Sequence, residues 1–374
     1  MRVWDTIVAG LGGMGSAAAY HLARRGGRVL GLDAFARGHD RGSSHGRSRI
    51  IREAYFESPD YVVLVRRAYR LWRELERESG RTLLRITGGL WMGAPDSDVV
   101  AGSLASARLH SLQHELLTAP EIERRFPQFR LPPSAAGVYE PNAGILDPEA
   151  CVAAHLDLAA RHGAELHHSE PVLRWSANAG GVRVETAQGI YAADRLIVTA
   201  GAWAGELLAE LRLPLEVERV FVVHFEPDDP SRFAPDRCPL YLWRLNGGHF
   251  YGFPYLEGQG IKFGQHGAGE ITKADRVRRS VTDGEIEQVR AVLNRVLPGA
   301  GMRADRAVTC LYTNTPDGHF FVDRHPEHEN VWIACGFCGH GFKFASVVGE
   351  IMADLAFSGA TGYPIEFLSL RRLG

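Results

Sequence analysis

Among 42 basic residues in this 374-residue chain, 39 are arginine and only Lys262, Lys273 and Lys343 are lysine. Arginine holds its proton at any ordinary pH, whereas a buried lysine presents a compact charge with a movable pKa. Lys262 sits in the apolar run Gly260-Ile-Lys-Phe-Gly264 and Lys343 in Gly341-Phe-Lys-Phe344. An ammonium in such a setting is suited to stabilising an anion in a dry site. Lys273, in Thr-Lys-Ala-Asp, reads as ordinary surface, and chance retention is the alternative for the other two.

A second chemical pattern opens the chain. Gly10-Leu-Gly12-Gly-Met-Gly15 follows the strand-like Asp5–Ala9 and precedes a helix-forming run closed by Gly26-Gly27. A second strand, Arg28-Val-Leu-Gly-Leu-Asp33, then ends in an acid. Glycines there let the backbone approach a pyrophosphate, the helix N-terminus offers free amides, and Asp33 can accept hydrogen bonds from a ribose. The motif predicts a dinucleotide cofactor and does not by itself separate NAD from FAD. The next segment, Gly42-Ser-Ser-His-Gly-Arg-Ser-Arg49, suits either close passage along an anionic cofactor or a plain polar loop.

These residues must be positioned by elements the pattern also supplies. Leu64, Ala68, Leu71 and Leu75 recur at helical spacing over 62–79, and Asp283–Leu297 reads as a helix stopped by Pro298-Gly299. Strands are expected at 182–186, 190–199, 217–226, 249–255, 260–266 and 331–334, and a final helix near Lys343–Phe357. Strand signals cluster in the middle and βαβ patterns at both ends. The expected architecture is α/β (α+β, two domains): a discontinuous dinucleotide-binding domain (1–85, 145–215 and 305–374) interrupted by a mainly antiparallel substrate domain (86–144 and 216–304).

Bulk composition narrows the function classes. A net charge of −2 and 23% charged residues give no basic surplus for nucleic acid and no acidic tail. No apolar run is long enough to span a bilayer, and the first residues lack a secretory pattern, so a cytoplasmic enzyme is expected. Five scattered cysteines form no disulfide framework, and Cys335-Gly-Phe-Cys338 lacks the companion ligands a zinc site needs, leaving two buried thiols beside the cofactor as the expectation and no metal.

Ser48-Arg-Ile-Ile-Arg52, Gly201-Ala-Trp203, Cys310-Leu-Tyr-Thr313 and Gly336-Phe-Cys-Gly-His-Gly-Phe-Lys-Phe344 together resemble the monomeric sarcosine oxidases of the D-amino-acid-oxidase-like flavoprotein superfamily, from residue 5 to about 357. The resemblance implies a Rossmann-like FAD-binding domain and FAD joined to Cys310. It implies cofactor contacts from Gly10, Gly12, Gly15, Asp33, Ser43, Ser44, Arg49, Val172, Gly339, His340, Gly341 and Lys343. Arg52 and Lys343 match a pair that grips the substrate carboxylate, with Tyr251, Tyr312 and His266 around it. For His266 a packed structural role stays open, and for Arg52 a salt bridge with Glu53 or Glu57. Lys262 matches a lysine that activates oxygen, with Arg49 as a second cation near the flavin.

The implied reaction is hydride transfer from sarcosine to flavin N5, hydrolysis of the imine to glycine and formaldehyde, and reoxidation of the flavin by O2, which is reduced to hydrogen peroxide. The alternatives are another secondary amino acid (N-methyltryptophan, pipecolate, L-proline or a glycated amino acid), an NAD-dependent dehydrogenase, and a non-catalytic flavin-binding subunit. The resemblance also implies a monomer whose partners are a small amino acid and O2.

Overall fold

The first βαβ unit forms as its pattern predicts. Trp4–Ala9 pairs in parallel with Val29–Leu32, and the helix Gly13–Arg24 crosses between them. The registration of Ala9 with Leu32 sets Gly10 beside Asp33 at the carboxyl ends of both strands. In an open parallel sheet that edge is where ligands bind. This computed structural model describes residues 4–245 and 248–373. Ile190–Val198, Glu165–His167 and Val331–Cys335 extend the parallel core, and shorter antiparallel strands complete an eight-stranded sheet.

Small residues let helices close over this sheet. A Cβ at Gly349, in the helix Ala345–Ser358, would lie 2.5 Å from Ala17 of the first helix. The helix predicted over 62–79 spans Tyr61–Ser79 and ends where Gly80 adopts φ 69°. The final helix starts later than expected. A 3₁₀ turn, Phe342–Phe344, comes first, so Lys343 precedes the helix.

A nine-stranded, mainly antiparallel sheet supplies the other half of the molecule. Its central strands are Arg303–Asn314, Glu216–Glu226, Gly260–His266, Gly248–Leu256 and Leu240–Leu245. The register pairs Val220 with Cys310, Glu218 with Tyr312, His224 with Lys262, Gly264 with Tyr251, and His266 with His249. Successive side chains on a strand alternate faces. Cys310, Tyr312, Lys262, His266, Tyr251 and His249 therefore share one face. The opposite face carries Val223, Phe225, Ile261 and Phe263, all buried, and packs them with Val289, Leu293 and Val296 of the helix Asp283–Val296. One side of the sheet is core and the other is available for chemistry.

A three-stranded sheet, Arg49–Ile51, Gly144–Leu146 and Leu84–Ile86, holds Arg49. Among the described residues no helix is long and apolar enough to cross a membrane, and no cluster of His, Cys, Asp and Glu is arranged to hold a metal ion.

Candidate active site

One cavity of about 710 Å³ is lined by the glycine-rich turn, by Asp33 and Val172, and by the chemical face of the second sheet. At the nucleotide end, the Leu11 amide donates to Asp33 Oδ2 at 2.7 Å and the Phe35 amide to Oδ1 at 2.9 Å. Burial raises the Asp33 pKa, but the His39 contact and these two amides outweigh it, so the carboxylate is held below its usual range. The Gly13 amide donates to Ser44 Oγ at 2.9 Å, and Ser43 Oγ–H to the Leu311 carbonyl at 2.6 Å.

The glycines of the turn divide by role. A Cβ on Gly15 would lie 1.7 Å from the Gly10 carbonyl oxygen, so this glycine permits helix and strand to touch. It is not among the residues lining the cavity, unlike Gly10 and Gly12. A Cβ on Gly12 would meet only Ser44 Oγ, at 3.5 Å. Among the described residues no close packing demands glycine at that position. A backbone bared toward the cavity at a helix N-terminus fits a pyrophosphate, and Asp33 fits the adjoining ribose.

Four groups, Lys262, Arg49, His45 and Cys310, gather along the cavity. Lys262 Nζ, on a side chain almost wholly buried, donates to the carbonyls of Gly46 (3.0 Å) and Ser48 (2.9 Å). Burial and the nearby Arg49 push its pKa well below the ordinary lysine range. Arg49 donates to the carbonyls of Ser43, His45 and Ser48, and its Nη2 lies 3.8 Å from Cys310 Sγ. His45 Nε2 lies 3.6 Å from the same sulfur. Burial raises the Cys310 pKa, but the His45 contact and the charges of Arg49 and Lys262 overcome it and bring the thiol down to about 6.

The remaining end gathers the other cations. Arg52, 2% exposed, donates through Nη2 to Glu57 Oε1 at 2.7 Å and through Nη1 to the Ala54 carbonyl, and it lies over the rings of Tyr55 and Phe56. Of the two readings of Arg52, the ion pair with Glu57 is therefore present. Lys343 Nζ donates to the His340 carbonyl at 2.6 Å. Burial and Arg52 bring its pKa down to about 7, against the opposing pull of Glu57. Glu57 is held at about 2, because Arg52, His340 and Lys343 outweigh the effect of burial.

His340 is fixed in one tautomer. A carbonyl can only accept, so Nε2–H donates to Gly318, and the bare Nδ1 accepts from Tyr55 Oη–H at 2.5 Å. Burial lowers its pKa to about 3, so the ring is neutral. His266 Nδ1 lies 3.2 Å from Tyr312 Oη, and burial depresses this imidazole to about 4. A Cβ on Gly339 would lie 2.3 Å from the Tyr312 ring, so that turn must be glycine for the two to pack.

Ser43, Ser44, Arg49, Arg52, Val172, Tyr251, Lys262, His266, Cys310, Tyr312, Gly339, His340, Gly341 and Lys343 all line the cavity. Cys335 and Cys338 were expected beside the cofactor, and neither lines it. Cys338 Sγ instead accepts from the Thr315 amide and contacts Thr315 Oγ1, turned away by the φ of 48° at Cys338. Sequence reasoning offered Glu57 only as one of two possible partners of Arg52, and it missed His45 and Tyr55. His45 lay within the polar segment already singled out, and its neighbour in space is 265 residues away.

The model of the family described as FAD dependent oxidoreductase matches residues 5–355. Monomeric sarcosine oxidase of Streptomyces avermitilis is 48% identical over 99% of this chain and 98% of its own length. N-methyl-L-tryptophan oxidase of Salmonella newport is 35% identical over 99% of each chain. Among solved structures, the open form of NikD, an unusual amino acid oxidase, superposes with a TM-score of 0.86 at 28% identity, covering 99% of this chain and 98% of that one. A bared glycine turn, a ribose-seeking aspartate and a cation-lined cavity between two sheets agree with these matches, and the chain belongs to the FAD dependent oxidoreductase family.

Proposed function

We propose that this protein oxidises the secondary amine of a small amino acid with O2, sarcosine being the leading substrate. FAD, when bound, supplies the two-electron acceptor for the C–N bond and the electrons for dioxygen. The observation that carries the reading is the pairing of two buried cations, Arg52 and Lys343, at one end of the cavity with a third, Lys262, on the sheet face that also carries Cys310. The residue roles follow from this chemistry. Arg52 and Lys343 grip the carboxylate and fix the amine's orientation. Tyr251, Tyr312 and His266 wall the space beside it and keep water out. Lys262 meets the charge that develops on oxygen.

In this reading Gly10, Gly12, Asp33, Ser43, Ser44, Val172 and the turn Gly339-His340-Gly341 hold the cofactor, and Cys310 joins it covalently. A thiol brought to about 6 by His45 and Arg49 is a competent nucleophile at neutral pH, which supports the tether. In this reading the chain has a cofactor domain (1–85, 145–215 and 305–374) and a substrate domain (86–144 and 216–304). The strand Arg303–Asn314 crosses that division, since it pairs with Glu216–Glu226 of the second sheet and carries Cys310. The Streptomyces relative is named monomeric, which supports a monomer, and we place the enzyme in the cytoplasm.

The test is peroxide formation by the purified protein with sarcosine, N-methyl-L-tryptophan, pipecolate, L-proline and a glycated amino acid. Sarcosine should give the highest kcat/KM. A colourless protein, or one indifferent to all five, would refute the proposal.

A further inference from the structure

One wall of the substrate end has no role in the reading above. Phe56, Val99, Leu242 and His249 line the cavity there. Val99 belongs to a π-helical turn, Asp98–Gly102, an element found most often at functional sites. The Asp98 carboxylate accepts from the Val99 amide at 2.9 Å, lies 2.9 Å from His249 Nε2, and lies 3.4 Å from Arg244 Nε. His249 stands on the strand Gly248–Leu256, its ring centroid 5.8 Å from Phe56 and 6.4 Å from His266.

The same turn is held from behind. A Cβ on Gly102 would lie 2.7 Å from the Phe56 carbonyl oxygen, so its last residue rests on the backbone that leads into Glu57. The π-helical turn is thus tied by charge to the second sheet and by close packing to the segment that engages Arg52. His249 lines the cavity, and its side chain and that of Asp98 are 23% and 46% exposed, so the pair reaches solvent. A polar contact that exposed adds little stability. Its position over the cavity needs another reason.

We infer that Asp98 and His249 form a clasp over the outer mouth of the substrate end, and that this clasp limits the side chain an amino-acid substrate can carry. The inference rests on the proposed amino-acid oxidase reading. A glycine-like substrate held by Arg52 and Lys343 fits beneath the clasp. A bulky aromatic group must push His249 aside or part Val99's turn from the strand. Asp98 is not among the residues lining the cavity, so it acts through His249 as a positioning residue.

The experiment uses the flavin-loaded wild type, Asp98→Ala and His249→Ala. Acetate and indole-3-acetate share a carboxylate and differ in bulk, and each is titrated against the visible spectrum of the bound flavin. We expect acetate affinity to stay the same and indole-3-acetate to bind roughly tenfold more tightly in both variants, the low end of what one steric filter discriminates. The kcat/KM ratio of N-methyl-L-tryptophan to sarcosine should rise in parallel, with kcat for sarcosine unchanged. Asp98→Ala is decisive because it removes no atom of the cavity wall. An effect confined to His249→Ala, or absent from both, overturns the clasp. Holoenzyme that oxidises neither amino acid yet shows the tightened indole-3-acetate binding would overturn the oxidase reading and leave the clasp standing. Sarcosine turnover with unchanged ratios would do the reverse.

Discussion

The thiol of Cys310 and the imidazole of His45 approach to 3.6 Å across 265 residues of sequence. His45 Nε2 is also 3.1 Å from the Gly42 carbonyl, so the imidazole is held against the sulfur rather than swinging free. Burial alone would leave the thiol protonated at neutral pH, and His45, Arg49 and Lys262 reverse that. Thiolate should accordingly be present above about pH 6. Replacing His45 by Phe should shift alkylation of Cys310 in the apoprotein to higher pH. The yellow colour retained in acid-precipitated protein should fall in step, and Cys310→Ser should lose it altogether. An alkylation profile identical to wild type would remove His45 from this role.

Glu57 occupies the guanidinium that a substrate carboxylate is proposed to use. An incoming carboxylate must therefore compete with it for Arg52. Glu57→Gln should bind acetate more tightly, by about tenfold if the lost competition equals one charge-assisted hydrogen bond. The same change leaves Arg52 and Lys343 uncompensated in the empty site, and breaking a largely buried pair costs about 3 kcal/mol. A lower Tm together with a higher acetate affinity is the expected signature. The pair also has a pH signature. The Glu57 pKa is depressed from its ordinary value to about 2, so its stabilisation is complete above the ordinary carboxylate range and is lost as pH falls from there toward 2.

Much of this arrangement was legible in the chain, for identifiable reasons. The βαβ unit is local, and its glycines, helix-forming run and closing acid follow one another in the chain, so the motif alone located Gly10, Gly12 and Asp33. Lys262 and Lys343 stood out by rarity, and both are almost fully buried. Gly15 was legible as a member of the motif but not as a packing residue, since only the fold brings the Gly10 carbonyl against it. The same holds for Arg52. Its spacing to Glu57 allowed a salt bridge, and only the surrounding rings of Tyr55 and Phe56 make that bridge a buried one. Cys338 misled because adjacency in sequence to cavity residues Phe337 and Gly339 says nothing about which way a left-handed residue turns its thiol. Asp98 and His249 meet across 151 residues, beyond the reach of any pattern.

Lys343 gives the site a pH dependence of definite sign. Its pKa in the folded protein is about 7, below the ordinary lysine value, so the ammonium needed for a carboxylate is present below pH 7 and lost above it. Acetate, which carries no amine of its own to titrate, should therefore bind progressively more weakly as pH rises from 6 to 9. Lys343→Met should bind acetate weakly throughout that range with a flat profile. Unfolding runs the other way. The unfolded chain holds this proton up to the ordinary lysine pKa, so the Lys343 contribution to stability rises between pH 7 and that value. A wild-type affinity independent of pH would show that Lys343 does not face the carboxylate.

Lys262 separates the two halves of the reaction. Its Nζ is anchored by the Gly46 and Ser48 carbonyls, and among the described residues no carboxylate in hydrogen-bond contact cancels its field toward the cavity. A fixed cation in a water-excluded site acts on charge that develops on oxygen, and removing one such donor typically slows a step by about 10²–10³-fold. Lys262→Met should slow reoxidation by O2 on that scale in stopped-flow measurements, while anaerobic reduction by sarcosine changes little. Because burial and Arg49 depress the Lys262 pKa, the oxygen step of the wild type should also slow as pH rises and the ammonium is lost, and the variant should not. Equal slowing of both half-reactions would assign Lys262 to holding the cofactor or the sheet rather than to oxygen.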